Sequence, residues 1–317
     1  MELQDYDMRS LKTGIDRLDK PIGGNVLFVK RDDLIPFSFG GNKARKAFYF
    51  FKEILDGEYD TVVTYGAGSS NHCRVVANMS AKYGLPCYIV SPEENYQNTF
   101  NSRLVGLFGA KIIKTPVDNV SACIDTLMKN LESEGKRPYF IAGGGHGNLG
   151  TQAYVDAYSE IKAFEEESGV KFDCIFHASG TGTTQAGLVC GAALCGDTDK
   201  KIVGISIARK CPRGRDVVVK SIDDYLQSID YKGAIPDITF DDSYVLDGYG
   251  RYNDDIVSVA REVMTNAGIP LNTTYTAKAF WGMKQYLERN KICGKNILFI
   301  NTGGAPLFFD DMIGDDI

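Results

Sequence analysis

Residues 172–187 read FDCIFHASGTGTTQAG, and this stretch decides the fold. Its first half, FDCIFHA, is a short apolar run of the kind that forms a buried strand. Its second half sets Ser179, Gly180, Thr181, Gly182, Thr183 and Thr184 between that strand and a small-residue helix, AGLVCGAAL. Glycines let a backbone approach an anion, and the free N–H groups and dipole of a helix N-terminus favour a phosphate there. The serine and threonine hydroxyls add donors. No Lys-Ser/Thr pair closes the loop, and the third glycine, Gly187, misses the G-x-G-x-x-G dinucleotide spacing. A single phosphate monoester fits this loop better than a nucleotide.

Outward from this stretch, short apolar runs alternate with helical patterns. NVLFVKRDD, TVVTYG, PCYIVS, KIIKTP, RPYFIAGGG, KIVGISIA and KNILFINTGG read as strands. KARKAFYFFKEILDG, closed by Gly57, reads as a helix, and so do RVVANMSAKYG, TFNSRLVGLFG, SACIDTLMKNLESEG, GTQAYVDAYSEIKAFEEESG, DDIVSVAREVMTNAG and TAKAFWGMKQYLERN. Strands separated by helices of ten or more residues imply parallel α/β sheets with right-handed crossovers. Ligands in such sheets sit outside the carboxyl ends of the strands. Five strand ends or nearby loops gather Gly, Ser, Thr and Asn: GGNK (40–43), GAGSSNH (66–72), GGGHGN (143–148), SGTGTTQAG (179–187) and NTGG (301–304).

The chain has 317 residues, enough for about two domains and for a core that needs no disulfide or structural metal. Its 35 Lys+Arg against 41 Asp+Glu give a net charge of −6 without a basic run, which argues against a nucleic-acid role. No segment approaches the ~18 uninterrupted apolar residues of a membrane span. The N-terminal MELQDYDMRS is polar and acidic, unlike a secretory signal or transit peptide, so a soluble cytoplasmic protein is expected. Eight cysteines without a C-x-x-C pair, beside only three histidines, give no zinc framework; reduced thiols are expected, with Cys73 set apart by its place in a motif.

Most of the cations of such a chain are solvated surface charges, but Lys43 follows a Gly-Gly-Asn loop at the start of a helix. A lysine held near phosphate donors is a candidate Schiff-base amine. A hydrolase reading has no support: GAGSS and SGTGT are not G-x-S-x-G elbows.

Taken together, lysine in GGNK, the SSNH loop, the glycine–threonine phosphate loop and the late NTGG strand end resemble the pyridoxal-phosphate enzymes of fold type II, the tryptophan-synthase-β-like fold. Within that fold they are similar to the D-cysteine desulfhydrase / 1-aminocyclopropane-1-carboxylate (ACC) deaminase branch, from LFVKRDDL near residue 30 to NTGGAPLFF near 309. The resemblance implies an α/β chain of two parallel or mixed-sheet domains with pyridoxal 5′-phosphate in the cleft between them. The expected large domain is 1–56 plus 156–317, the inserted small one 57–155, and the assembly a homodimer.

Carried over, Lys43 would hold the cofactor and take the Cα proton of a small amino-acid substrate. Asn71 would bond the cofactor's 3′-oxygen, and Ser70, among the catalytic residues, would contact the substrate and help proton transfer. Ser179, Gly180, Thr181, Gly182, Thr183 and Thr184 would wrap the phosphate. Tyr249 in DGYGRYN and Tyr275 in TTYTAKA match the family's two pocket tyrosines, while His72 is expected to pack and shape the loop rather than act as a base, on the substrate side with Ser69, Asn71 and His146. ACC deaminases follow the second tyrosine with Glu (YEGKS) and end the late strand in LGG. Here those positions are Thr276 and Thr302, as in the desulfhydrases' YTGKA and TGG. A neutral wall beside the ring nitrogen makes a weaker electron sink, adequate for expelling hydrosulfide and poor for opening a cyclopropane. The expected reaction is therefore α,β-elimination, with D-cysteine as first candidate. D-serine, L-cysteine or cysteate, ACC, a β-replacement synthase and a pyridoxal-phosphate-binding paralogue without turnover are the rivals. Departures from the family pattern fall near its substrate subsite: Ser69 where Gln is usual, Asn272-Thr273-Thr274 where Asp-Pro-Val is usual, and His146 where Ser is usual.

Overall fold

The computed structural model describes residues 11–94 and 98–313; the polar N-terminal MELQDYDMRS lies outside them. The chain opens with strands β1 (Ile15–Arg17) and β2 (Val26–Lys30) and helix α1 (Asn42–Asp56). Next come β3 (Thr61–Tyr65), α2 (Asn71–Lys82), β4 (Cys87–Pro92), α3 (Phe100–Leu107), β5 (Lys111–Thr115), α4 (Val120–Ser133) and β6 (Pro138–Ile141). After α5 (Asn148–Ser168) follow β7 (Cys174–Ser179), α6 (Thr183–Leu194), β8 (Lys201–Ser206), α7 (Arg213–Ser228) and β9 (Ile238–Asp241). Helices α8 (Asp254–Ala267) and α9 (Thr276–Arg289), strand β10 (Asn296–Ile300) and helix α10 (Ala305–Ile313) complete it.

Two sheets result. One has the order β1-β2-β10-β7-β8-β9 and is parallel except for the edge strand β1; the other, β5-β4-β3-β6, is wholly parallel. Both faces of a parallel sheet are covered by helices, which is why β7 reads as an unbroken apolar run and is buried along its whole length. In the larger sheet the connection from β7 runs to β8 on one side, while β10 lies on the other. In the smaller sheet β3 leads to β4, with β6 on the opposite side. These two reversals are the switch points where crevices open beyond the strand ends. The loops that leave them are 66–70, 142–147, 180–182 and 301–304, the polar loops singled out in the sequence.

Helix α1 spaces Ala44, Ala47, Phe48, Phe51 and Ile54 on one face, the i, i+3, i+4 pattern of a stripe that must be buried. That stripe packs into the core of the smaller sheet, with Val62, Val75, Val76, Met79 and Ile89. The α1 segment was expected in the large domain, yet it shares the smaller sheet's core. The expected boundary at residue 155 also falls inside the continuous helix α5, whose Tyr154, Tyr158 and Ile161 pack in the larger core. Gly57 ends α1 with an ordinary φ of −83°; the left-handed residue is Glu58.

A buried charge cluster ties α1 to β2 and α5. Arg45 meets Asp32 at 2.9 Å and Glu160 at 2.6 Å, and Lys30 meets Glu160 at 2.5 Å. Tyr154 and Thr13 also donate to the Asp32 carboxylate, at 2.7 and 2.8 Å. Burial alone would raise the Asp32 carboxyl, but Arg45 and Lys30 hold it well below the usual range. All eight cysteines are free thiols, and burial pushes Cys73 up to about 11. Among the described residues no helix is long and apolar enough to cross a membrane.

Candidate active site

The two switch-point crevices meet in one cavity of about 1080 Å³, counting its open mouth. Lys43, Ser70, Asn71 and His72 line it from the smaller sheet's side. Ser179, Gly180, Thr181, Gly182, Thr184, Tyr249, Tyr275 and Thr302 line it from the other. No aspartate or glutamate is among the described residues of its wall.

Lys43 lies in the first turn of α1 because Gly40 and Gly41 turn the chain sharply onto the end of β10. Gly41 has φ +91°, and a Cβ there would sit 2.5 Å from the Thr302 carbonyl oxygen. The same carbonyl accepts the Asn42 N–H at 3.0 Å, so the lysine loop and the NTGG strand end form one unit. The Lys43 amine donates to the Gly144 carbonyl at 2.8 Å and has no carboxylate partner among the described residues. Burial lowers it from 10.5 to about 8.

Helix α6 points its N-terminus at the cavity. Gly182, at φ +96°, is its N-cap and supplies no side-chain oxygen, so the first-turn N–H groups are left for an incoming acceptor. Thr181 and Thr184 present hydroxyls to the wall, the latter also accepting from Asn42 Nδ2 at 3.2 Å.

Ser70 is the N-cap of α2, its Oγ accepting from Cys73 N–H at 3.3 Å. His72 Nε2 lies 2.8 Å from Thr64 Oγ1, whose own proton goes to the Ile141 carbonyl at 2.7 Å, so the imidazole is the donor. Burial and the Lys43 and Lys46 charges push it well below its usual value, leaving it neutral. The Tyr249 and Tyr275 hydroxyls hydrogen-bond each other across edge-to-face rings. Burial raises both phenols, so each is a proton donor at neutral pH.

Four of the expected residues do not reach this wall. Thr276 is fully buried, and its hydroxyl accepts from Asn272 N and Nδ2 at 3.0 and 3.2 Å, so Thr302 alone presents a threonine at that end. Thr183 accepts from Lys46 Nζ at 2.7 Å, behind the loop. His146 turns Nδ1 to the Thr181 carbonyl at 3.2 Å. Ser69 lines a neighbouring polar cavity beyond Tyr249. Ser179 does face the cavity, but its hydroxyl donates to Gln185 at 3.1 Å.

Three residues were missed. Lys46 is buried one helical turn past Lys43, a position the K-x-x-K spacing in KARK marks as the same face. Lys46 does not line the cavity, but Tyr65 and Arg209 do. Arg209 opens RKCPRGR (209–215), four cations in seven residues shortly after β8, a short basic cluster that reading the charge as free of basic runs passes over.

Over residues 13–303 the chain matches the family described as pyridoxal-phosphate dependent enzyme. It belongs to that family. This pyridoxal-phosphate-dependent enzyme is 33% identical over 294 residues to D-cysteine desulfhydrase of Yersinia pestis (strain Pestoides F), spanning 90% of this chain and 88% of the relative. The match to D-cysteine desulfhydrase of Klebsiella pneumoniae (strain 342) is likewise 33% over 294 residues, 90% and 89% of the two chains. Among solved structures, an ACC deaminase homologue superposes with a TM-score of 0.85 at 29% identity, covering 99% of this chain and 98% of that one. A hydrogen sulfide-producing enzyme from Fusobacterium nucleatum shares the fold, with a TM-score of 0.65 at 19% identity over 96% and 99% of the chains. The residues present fit the cofactor: a low-pKa amine without a counter-ion, an uncapped helix N-terminus with two hydroxyls, and a cavity able to hold it.

Proposed function

We propose that the enzyme carries out α,β-elimination on a small amino acid, D-cysteine first, giving pyruvate, hydrosulfide and ammonia. The observation that carries this reading is the acid-free wall: Thr302, not a carboxylate, stands at the end of β10. Bound pyridoxal phosphate supplies the electron sink for a Cα carbanion, and a neutral wall suits expulsion of a good leaving group. Lys43 would hold the cofactor and, as a free amine, would take the Cα proton of the substrate; its lowered pKa suits it as a base near neutrality. The N-terminal turn of α6, with Thr181 and Thr184, takes the phosphate. Ser70 and free N–H groups at the start of α2 would take the substrate carboxylate, a role supported by the position of Ser70 and Asn71 on the cavity wall. The Cβ–S bond breaks with its electron pair on sulfur, which leaves as hydrosulfide, and the Tyr249–Tyr275 pair would donate a hydrogen bond to it. Water then hydrolyses the released aminoacrylate to pyruvate and ammonia.

The test is the visible spectrum of the purified enzyme before and after D-cysteine, with pyruvate and sulfide assayed. A band that shifts while both products appear is expected. A shift and turnover with ACC but not with D-cysteine would overturn the substrate assignment.

A further inference from the structure

Arg74 is fully buried in α2 and, among the described residues, has only neutral partners. Its Nη1 donates to Asn71 Oδ1 at 2.7 Å and to Asn101 Oδ1 at 2.9 Å, and its Nη2 donates to the Ser38 carbonyl at 2.9 Å. Nε has no partner, and among the described residues no carboxylate lies within ion-pair distance. An uncompensated buried guanidinium is costly, and burial accordingly pulls it down to about 10. Such a charge is retained at that cost where an anion completes it.

We propose that Arg74 is a positioning residue that fixes the Asn71 carboxamide so that its NH2 end faces the cavity and takes an anionic oxygen there. The orientation follows from the donor inventory. Arginine has no acceptor, so both asparagines must turn their oxygens towards it. Asn101 Nδ2 also donates to Asn71 Oδ1, at 2.9 Å, and to the Ser69 carbonyl, at 2.8 Å. With Oδ1 doubly occupied, only Asn71 Nδ2 is left, and Asn71 lines the cavity. A cation on the oxygen polarises the amide and strengthens its N–H as a donor.

The same guanidinium lies 5.7 Å over the Phe39 ring and grips the Ser38 carbonyl. Ser38 and Phe39 are consecutive left-handed residues, at φ 46° and 58°, immediately before the GGNK turn. Arg74 thereby links the loop that delivers Lys43 to the helix that delivers Asn71. The inference rests on family membership and not on the choice of amino acid. The oxygen belongs either to the cofactor ring or to a substrate carboxylate, and both sources share this chemistry.

The experiment uses holoenzyme and the variants R74M, R74K and N71A, with N71A/R74M and N71A/R74K. The readouts are cofactor affinity, the pH midpoint of the bound cofactor's visible band, and the affinity for alanine. In R74M the cofactor or the alanine affinity falls about tenfold, the scale of one charge-assisted hydrogen bond. If the oxygen is the cofactor's, the spectral midpoint also rises by roughly one pH unit, as for one charge removed at an effective dielectric near 20. R74K keeps the charge but not the fork, so its midpoint stays near the parent's while affinity drops. In the N71A background both losses shrink below about twofold, because the amide that transmits them is gone. A loss confined to alanine assigns the oxygen to the substrate, and one confined to cofactor assigns it to the ring. The proposal is overturned if R74K and every folded R74M sample match the parent in all three readouts. It is also overturned if the arginine effects persist undiminished without Asn71.

Discussion

The Lys43 amine offers a quantitative test of the site. Burial alone lowers it from 10.5 to about 8, with no charge partner to raise it again. At pH 7 such an amine is roughly one-tenth unprotonated, against about one part in three thousand for an ordinary lysine, roughly a 300-fold gain in nucleophile. We expect the rate at which cofactor-stripped protein captures added pyridoxal phosphate to rise with pH and level off above a midpoint near 8. Stopped-flow absorbance over pH 6–10 reads this directly, and Lys43→Ala is the blank, lacking both the visible band and turnover. Because the cause is desolvation and not a nearby ion, the midpoint should hold nearly constant between low and moderate salt. A capture rate still climbing as for a lysine of 10.5, or a midpoint that moves strongly with salt, would refute the assignment of burial as the cause.

Two further outcomes follow from the packing. Gly41→Ala puts a methyl 2.5 Å from the Thr302 carbonyl at a left-handed φ, so the turn must shift and Lys43 with it; the variant should fold but lose most of its cofactor absorbance, read by spectrum beside circular dichroism. Asp32→Asn leaves Arg45 and Lys30 under-compensated inside the protein and should lower the unfolding free energy by about 3–5 kcal/mol at pH 7 in denaturant titrations. Since the native carboxyl is held low, its contribution is complete above the unfolded value of ~3.9 and fades as pH falls below it. The variant's stability should therefore change less than the parent's on acidification; an equal slope would exclude Asp32 as the source.

Much of this arrangement was legible in the strand ends. Parallel strands with helical crossovers bring their carboxyl ends to one side, so GGNK, SSNH, SGTGTT and NTGG had to converge once the alternation was recognised. Thr276 and Thr183 show where that logic stops. Each belongs to a cavity-facing motif, yet a helix turns consecutive residues by about 100°, so Tyr275 and Thr184 reach the wall while their neighbours face Asn272 and Lys46. Helix α1 was expected with the large domain and packs its stripe in the smaller sheet's core for a related reason: an apolar stripe announces burial but not against which sheet.

By itself, then, the sequence determined the α/β alternation, the glycine–threonine loop between β7 and α6 and the lysine after GGN, because strand and helix periods and glycine-rich turns are local properties of the chain. Only the tertiary structure decided the acid-free wall, the depressed Lys43 amine and the Arg74–Asn71–Asn101 network. These depend on which side chains long-range packing excludes from water, and desolvation, unlike spacing, is not a property of any single segment.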